Sequence, residues 1–182
     1  MKTIKLLFAT TLLFALTSNA QITKGNWMVG GSASFSSSNT KADVNTSSTK
    51  SYDVNLNPEI GYFIINKLSG GLRLSLINSS FKSDQGNSKY SNTEIGPFVR
   101  YYFLNAERNT NVFLEPSYNF TTSKNNNKES TIATKGGFVV FLNSSVGFEV
   151  SLEYLIEKFN NVSDTNTIKF GIGVQVHLEK QK

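Results

Sequence analysis

The 182-residue chain contains no cysteine. That removes disulfide frameworks, thiol nucleophiles and cysteine-ligated zinc together. It has a single histidine, His177, so imidazole-rich metal centres are excluded and a Ser-His-acid relay would have only one base to draw on. Charged residues are only 17% of the sequence, with Lys+Arg 18 against Asp+Glu 13 and a formal charge of +5. Such sparse, scattered basic residues do not make a nucleic-acid binder, whose lysines and arginines gather on one face. Long apolar runs are absent beyond residue 20; the longest is Phe138-Val139-Val140-Phe141-Leu142. That is far short of the roughly 20 residues a membrane-spanning helix needs.

The chain does carry an address at its start. Lys2 and Lys5 precede an apolar run from Leu6 to Leu16, and Ser18-Asn19-Ala20 follows with small residues at the positions a signal peptidase inspects. This pattern is that of a signal peptide spanning 1–20, with cleavage expected between Ala20 and Gln21. No cysteine follows the run, so lipid attachment is not expected there. Removing Lys2 and Lys5 leaves 16 basic against 13 acidic residues, a charge of +3 for residues 21–182. Those residues form the one domain expected after cleavage.

Period-two alternation dominates that domain. Val146, Phe148, Val150, Leu152, Tyr154 and Ile156 alternate with Gly147, Glu149, Ser151, Glu153 and Leu155. The same beat runs through Tyr52 to Tyr62, Leu72 to Leu76, Ile95 to Phe103 and Ile168 to Leu178, with weaker copies at Trp27–Phe35, Val112–Phe120 and Ile132–Val140. Eight strands of about ten residues result, the length at which a tilted strand crosses hydrocarbon. Long polar connections at 37–50, 79–92, 121–130 and 159–166 alternate with short ones at 63–68, 104–110 and 142–145. An eight-stranded antiparallel up-and-down transmembrane β-barrel, all-β, produces this rhythm.

Alternation alone does not say which face looks outward, because a soluble barrel that binds a lipid alternates as well. Charge decides. The apolar face carries no ionised side chain. The other carries Asp53, Glu59, Arg73, Glu94, Arg100, Glu115, Lys135, Glu149, Glu153 and Lys169 among Gly, Ser and Asn. Small residues beside charges of both signs suit a filled lumen held by ion pairs. A water-facing surface would be denser in Lys and Glu. The aromatics fall into two bands, as interfacial anchors do. Trp27, Tyr62, Phe63, Tyr101, Tyr102, Phe103, Phe138 and Phe141 lie near the short-turn ends, and Phe35, Tyr52, Phe81, Tyr90, Phe120, Tyr154 and Phe159 near the long-loop ends.

Three segments then carry a resemblance. They are Lys24-Gly25-Asn26-Trp27-Met28-Val29-Gly30-Gly31, Asn57-Pro58-Glu59-Ile60-Gly61-Tyr62-Phe63, and Ile95-Gly96-Pro97-Phe98-Val99-Arg100-Tyr101-Tyr102-Phe103. They resemble the small outer-membrane β-barrel domain family common in Bacteroidetes, which is similar in architecture to OmpX and the OmpA transmembrane domain. The resemblance implies location in the outer membrane of a Gram-negative bacterium, contact with its lipids and lipopolysaccharide, and no single assigned activity. The last strand also resembles the signal read by the barrel-assembly machinery, through Lys169, Gly171, Val174 and Val176. It departs in having aliphatic residues where aromatics are usual, and in the tail Glu179 to Lys182.

Reactive constellations are scarce. Asp53-Val54-Asn55-Leu56-Asn57-Pro58-Glu59 begins like a calcium loop, but Pro58 replaces the turn glycine and Ile64 stands where the bidentate Glu belongs. Glu149 and Glu153 lie four residues apart, about 13 Å along a strand and too far for a retaining glycosidase pair. His177 falls at the short-turn rim, away from the face an enzyme of outer-leaflet lipid would use, and reads as an interfacial residue or a lumen plug. No catalytic residue, cofactor or metal is expected, and the chain reads as non-enzymatic. Recognition is left to the loops, where Lys41, Lys50, Lys82, Lys89, Lys124, Lys128 and Lys158 are candidates for contact with phosphates. The expectation is a monomeric structural or surface-adhesive barrel. Its rivals are a soluble lipid-binding barrel with reversed faces and an outer-membrane enzyme acting on lipid or peptide.

Overall fold

A computed structural model describes residues 22–40, 49–83, 86–121, 129–159 and 163–179. The segment 1–20, with its expected cleavage site, lies outside these residues, as do Lys41, Lys124, Lys128 and the side chains of Lys158 and Phe159. Eight strands follow one another: β1 (Trp27–Thr40), β2 (Thr49–Ile65), β3 (Leu68–Ser83), β4 (Gly86–Tyr102), β5 (Thr110–Thr121), β6 (Glu129–Phe141), β7 (Val146–Phe159) and β8 (Ser163–Leu178). Each pairs antiparallel with its neighbours in sequence, and β1 pairs with β8 to close the barrel. Up-and-down closure leaves no sheet edge inside the wall, the one condition under which strands can sit in hydrocarbon.

The strands are longer than the sequence pattern suggests, from 12 to 17 residues. The excess is at one end. Residues 79–92 are not a long loop: the β3–β4 ladder continues through Ser79↔Tyr90 to Ser83↔Gly86. The β7–β8 ladder likewise runs to Phe159↔Ser163. Polar Ser, Thr, Asn and Lys do not end a hairpin when each backbone group still finds its partner across the ladder. At the opposite rim the turns are tight, and Lys67 takes φ 70° in the turn between β2 and β3.

The pleat sorts the side chains. Val29, Leu56, Ile60, Leu72, Ile95, Val99, Leu114, Ile132, Phe148, Leu152, Ile172 and Val174 are all exposed on the outside. None of the outward positions between the aromatic bands is charged. An apolar girdle this continuous suits lipid, not water. Trp27 and Tyr62 meet edge-on at 5.2 Å, and Tyr101 and Phe103 at 5.1 Å, near the short-turn rim; Tyr118 and Phe120 pair at 4.8 Å towards the other.

Phe63 and Phe141, expected in the aromatic belt, are instead inside the barrel, as is Tyr102. Their pleat position explains it. Phe63 follows outward Tyr62, Tyr102 lies between outward Tyr101 and Phe103, and Phe141 follows outward Val140. With Ile22, Met28, Phe98, Phe113 and Val139 they form an apolar core at the short-turn end. The segment before β1 folds back to seal it. Gly25 N–H donates to the Phe63 carbonyl, Phe63 N–H to the Asn26 carbonyl and Lys67 N–H to the Ile22 carbonyl, each at 2.9 Å.

Two prolines, Pro97 and Pro116, face outward on β4 and β5. The pairing of these strands is interrupted beside them, whereas β3–β4 and β5–β6 run unbroken. A proline has no N–H to give, and outward Pro58 on β2 likewise stands beside a gap in the β2–β3 ladder, between Leu56↔Leu76 and Glu59↔Arg73.

Gly71 shows how tightly the wall is wound: a Cβ there would lie 2.1 Å from the Ile60 carbonyl oxygen, whereas at outward Gly136 the nearest atom would be 3.8 Å away. Gly71→Ala therefore should destabilise the barrel by about 1–3 kcal/mol in urea titrations in lipid vesicles, the usual cost of overpacking. Gly136→Ala should leave the midpoint unchanged, and equal midpoints for the two variants would contradict the packing described.

Candidate functional site: the filled lumen

One inward side chain from each strand from β2 to β8 builds a cluster across the lumen. Glu59 and Arg73 are direct cross-strand partners on β2 and β3, and Glu115 and Lys135 on β5 and β6. Arg100 comes from β4, Glu149 from β7 and Gln175 from β8. At this level β1 supplies Gly30, paired with both Glu59 and Gln175. A Cβ on Gly30 would meet Gln175 Cγ at 3.2 Å and the Val174 carbonyl oxygen at 2.4 Å, so the absent side chain is what gives Gln175 its room.

Each cation in the cluster touches more than one carboxylate. Arg73 donates to Glu59 Oε2 at 3.0 Å and to Glu153 Oε1 at 3.2 Å, and also contacts Glu115. Arg100 donates to Glu59 Oε1 at 2.8 Å and to Glu149 Oε2 at 3.0 Å, and is bonded to Glu115 as well. Lys135 Nζ lies 3.1 Å from Glu115 Oε1 and 3.4 Å from both Glu59 Oε2 and Glu149 Oε1. Gln175 Nε2 donates to Glu59 Oε1 at 3.0 Å and Glu149 Oε2 at 2.6 Å, and its Oε1 accepts from the Tyr102 hydroxyl at 3.0 Å. The Arg100 guanidinium lies 4.3 Å from the Phe113 ring centroid. The three cations and Glu59, Glu115 and Glu149 are essentially inaccessible to water, while Glu153 keeps 14% of its side chain exposed. Three positive charges thus balance three buried negative ones, with Glu153 at the margin.

Not every charged residue on this face joins in. Asp53 is half-buried and accepts from Ser36 Oγ at 3.0 Å. Glu94 is buried and takes hydroxyl bonds from Thr121 and Thr131 at 3.4 Å. Lys169 is the register partner of Glu153, and its Nζ is within 3.2 Å of the Asn55 side-chain oxygen once that amide faces its donor. These three sit above the cluster, towards the long hairpins.

Below the cluster lies a layer that inspection of charges alone overlooks. His177 is 2% exposed and meets the rings of Phe63 at 5.3 Å and Phe141 at 5.4 Å. Its Nε2 lies 3.4 Å from Gln175 Oε1, linking the aromatic layer to the ionic one. His177 is therefore a lumen plug and not an interfacial residue. Gln175 and Ile22 are further members that the charge pattern does not single out, and Tyr102, expected in the short-turn aromatic band, lies inside as well. The strict parity of β4 and β8 already places Tyr102 and Gln175 inside; Ile22 has no such signal, because it precedes the first strand.

Chemically the arrangement seals. Glu59 and Glu115 each meet three cations and Glu149 two, so these carboxylates are held in buried ion pairs away from solvent. Among the described residues, no group of three His, Asp or Glu side chains is placed to hold a metal ion. The possible catalytic pair Glu149 and Glu153 is divided between Arg100 and Lys135 on one side and Arg73 on the other.

Breaking the cluster from one side strands buried charge. Arg73→Ala and Arg100→Ala should each cost about 3–5 kcal/mol, because the carboxylates left behind have no water. Asp53→Asn, which keeps its acceptor for Ser36, should melt within a degree or two of the parent. Thermal unfolding in detergent tests this: parental Tm values for both arginine variants would refute the cluster's role. Phe63→Ala should cost a comparable 3–5 kcal/mol through the cavity it opens.

No protein-family model and no curated sequence matches the chain. Solved structures do. The outer membrane protein OprG from Pseudomonas aeruginosa superposes with a TM-score of 0.57 at 15% identity, covering 90% of this chain and 100% of that one. Neisserial surface protein A gives a TM-score of 0.52 at 16% identity, covering 84% and 97%. At these identities the shared property is the fold: a closed, eight-stranded, antiparallel barrel of transmembrane type.

Proposed function

We propose that this chain is a non-enzymatic barrel of a Gram-negative outer membrane, which strengthens that membrane and presents polar hairpins at its outer surface. The observation that carries the reading is the sealed lumen. Buried ion pairs and the aromatic layer beneath them fill the interior, while the apolar girdle is outside. A barrel so filled has no path for general diffusion. The fold shared with OprG, described as an outer membrane protein, and with a neisserial surface protein supports the location.

The soluble lipid-binding alternative is disfavoured by the same geometry. It requires an apolar cavity, and the positions that would line it hold Glu59, Arg73, Arg100, Glu115, Lys135 and Glu149. The enzymatic alternative has no histidine at the outer rim, since His177, the one histidine of the chain, is enclosed at the opposite end.

The test is fractionation of cells expressing the full chain, followed by gel mobility with and without boiling and by conductance in planar bilayers. The expected outcome is recovery with the outer membrane, a heat-dependent mobility shift and no stepwise conductance. Soluble periplasmic protein without a shift would overturn the membrane reading; steady ion conductance would overturn the sealed lumen.

A further inference from the structure

We infer that the outward face of β2, β3 and β4, just above the apolar girdle, binds the phosphate groups of lipid headgroups through Lys50, Lys82 and Lys89. This rests on the membrane reading above and assigns a partner to one face of it.

Following each strand outward, the change in character is abrupt. On β3 the outward residues run Leu72, Leu74, Leu76, then Asn78, Ser80 and Lys82. On β4 they run Pro97, Ile95, Thr93, Ser91 and Lys89, and on β2 Leu56, Val54, Tyr52 and Lys50. The register brings the lysines together. Lys50 is the direct partner of Lys82, and Lys89 is the partner of Ser80, one step diagonal to Lys82. All three are exposed. Lys82 Nζ lies 5.8 Å from the Tyr52 ring centroid, which holds the ammonium close to the band where aromatic rings meet headgroups.

Two like charges in a direct cross-strand pair repel one another and destabilise the ladder. Among the described residues, no carboxylate on this face offsets that. The described outward positions of the extension hold Asn, Ser, Thr and Tyr beside the lysines, and no carboxylate. The nearby acids Asp53 and Glu94 point into the barrel, where they bond to Ser36 and to Thr121 and Thr131. A bridging anion would turn the repulsion into binding.

The height suits a lipid. Lys50 stands four residues beyond Val54, about 13 Å along the strand and roughly 9 Å in height at the tilt of a small barrel. Its side chain can reach down towards phosphates that lie within about 5–8 Å of the hydrocarbon boundary. The face is also continuous with the lipid-facing wall, so a headgroup can arrive laterally while its acyl chains lie against Leu72, Leu74 and Leu76.

The test uses the full chain refolded in uncharged detergent, with bisphosphorylated lipid A as probe and retention read by native mass spectrometry and by Tm. Dephosphorylated lipid A and inorganic phosphate form the comparison arms. Retention of the bisphosphorylated lipid with a raised Tm is expected. In a variant carrying Lys50→Gln, Lys82→Gln and Lys89→Gln together, affinity should fall about 100-fold, since each lysine near a charged headgroup contributes roughly a factor of five. Arginine at the same three positions should restore it, and Lys24→Gln, at the opposite rim, should have no effect. Equal retention by the triple variant would overturn the site, as would equal binding of the dephosphorylated lipid. A shift from inorganic phosphate alone, with lipid A adding nothing, would overturn the lipid as ligand. An intact heat-dependent mobility shift in the triple variant shows that the barrel still folds, so a failure of the site remains distinct from a failure of the membrane reading.

Discussion

Mutual neutralisation inside the lumen is the interaction on which the rest of this barrel depends. Glu59, Glu115 and Glu149 are buried together in the lumen, and Arg73, Arg100 and Lys135 reach across it to meet their charges. The cations come from different strands than the carboxylates, so each ion pair fixes the relative position of two parts of the wall. The register follows from this. A slip of one residue in any of these strands would turn its charge outward into lipid. Replacing such a cluster with well-packed apolar groups is often no loss in stability; here it sets the register instead, because an all-apolar interior would not tell the two faces of a strand apart.

The glycines belong to the same arrangement. Large side chains can converge on the axis only where neighbouring positions give up volume, and Gly30 beside Gln175 is the clearest case. The lumen is therefore layered. Hydroxyl-bonded Glu94 and half-buried Asp53 lie towards the long hairpins, the ionic cluster in the middle, and the aromatic layer with His177 at the closed end. Charge is densest in the middle and gives way to the aromatic layer, whose end is covered by the segment from Ile22 to Asn26.

Much of this was readable in the residues, because a pleat of period two writes burial directly into sequence. The alternation through β7 and β8 fixed which side each residue takes, and Glu59, Arg73, Arg100, Glu115, Lys135, Glu149 and Glu153 meet inside. Aromatic residues at strand ends misled where type was weighed above parity: Phe63 and Phe141 look like anchors by composition and are core by position. Hairpin length was illegible for a different reason. Ser, Asn and Lys between residues 79 and 92 carry no apolar beat, and only the ladder itself shows that the strands continue. The cover formed by Ile22 depends on how the chain enters the barrel, which no local pattern records.

The closing seam has a consequence for how this chain reaches its native state. Seven of the eight ladders join strands adjacent in sequence, so they can zip from their turns with little loop entropy. The eighth pairs Trp27 with Leu178 and runs only to Ser34 and Gly171, against the longer ladder from Trp27 to Thr40 that joins β1 to β2. Nearly the whole topological difficulty of the fold is thus concentrated in one short, non-local contact. Until it forms, β1 and β8 are two open edges and the ionic cluster lacks its last wall. Ring closure therefore completes the enclosure of the charges, and it rests on the one ladder that joins the two ends of the chain's strand order.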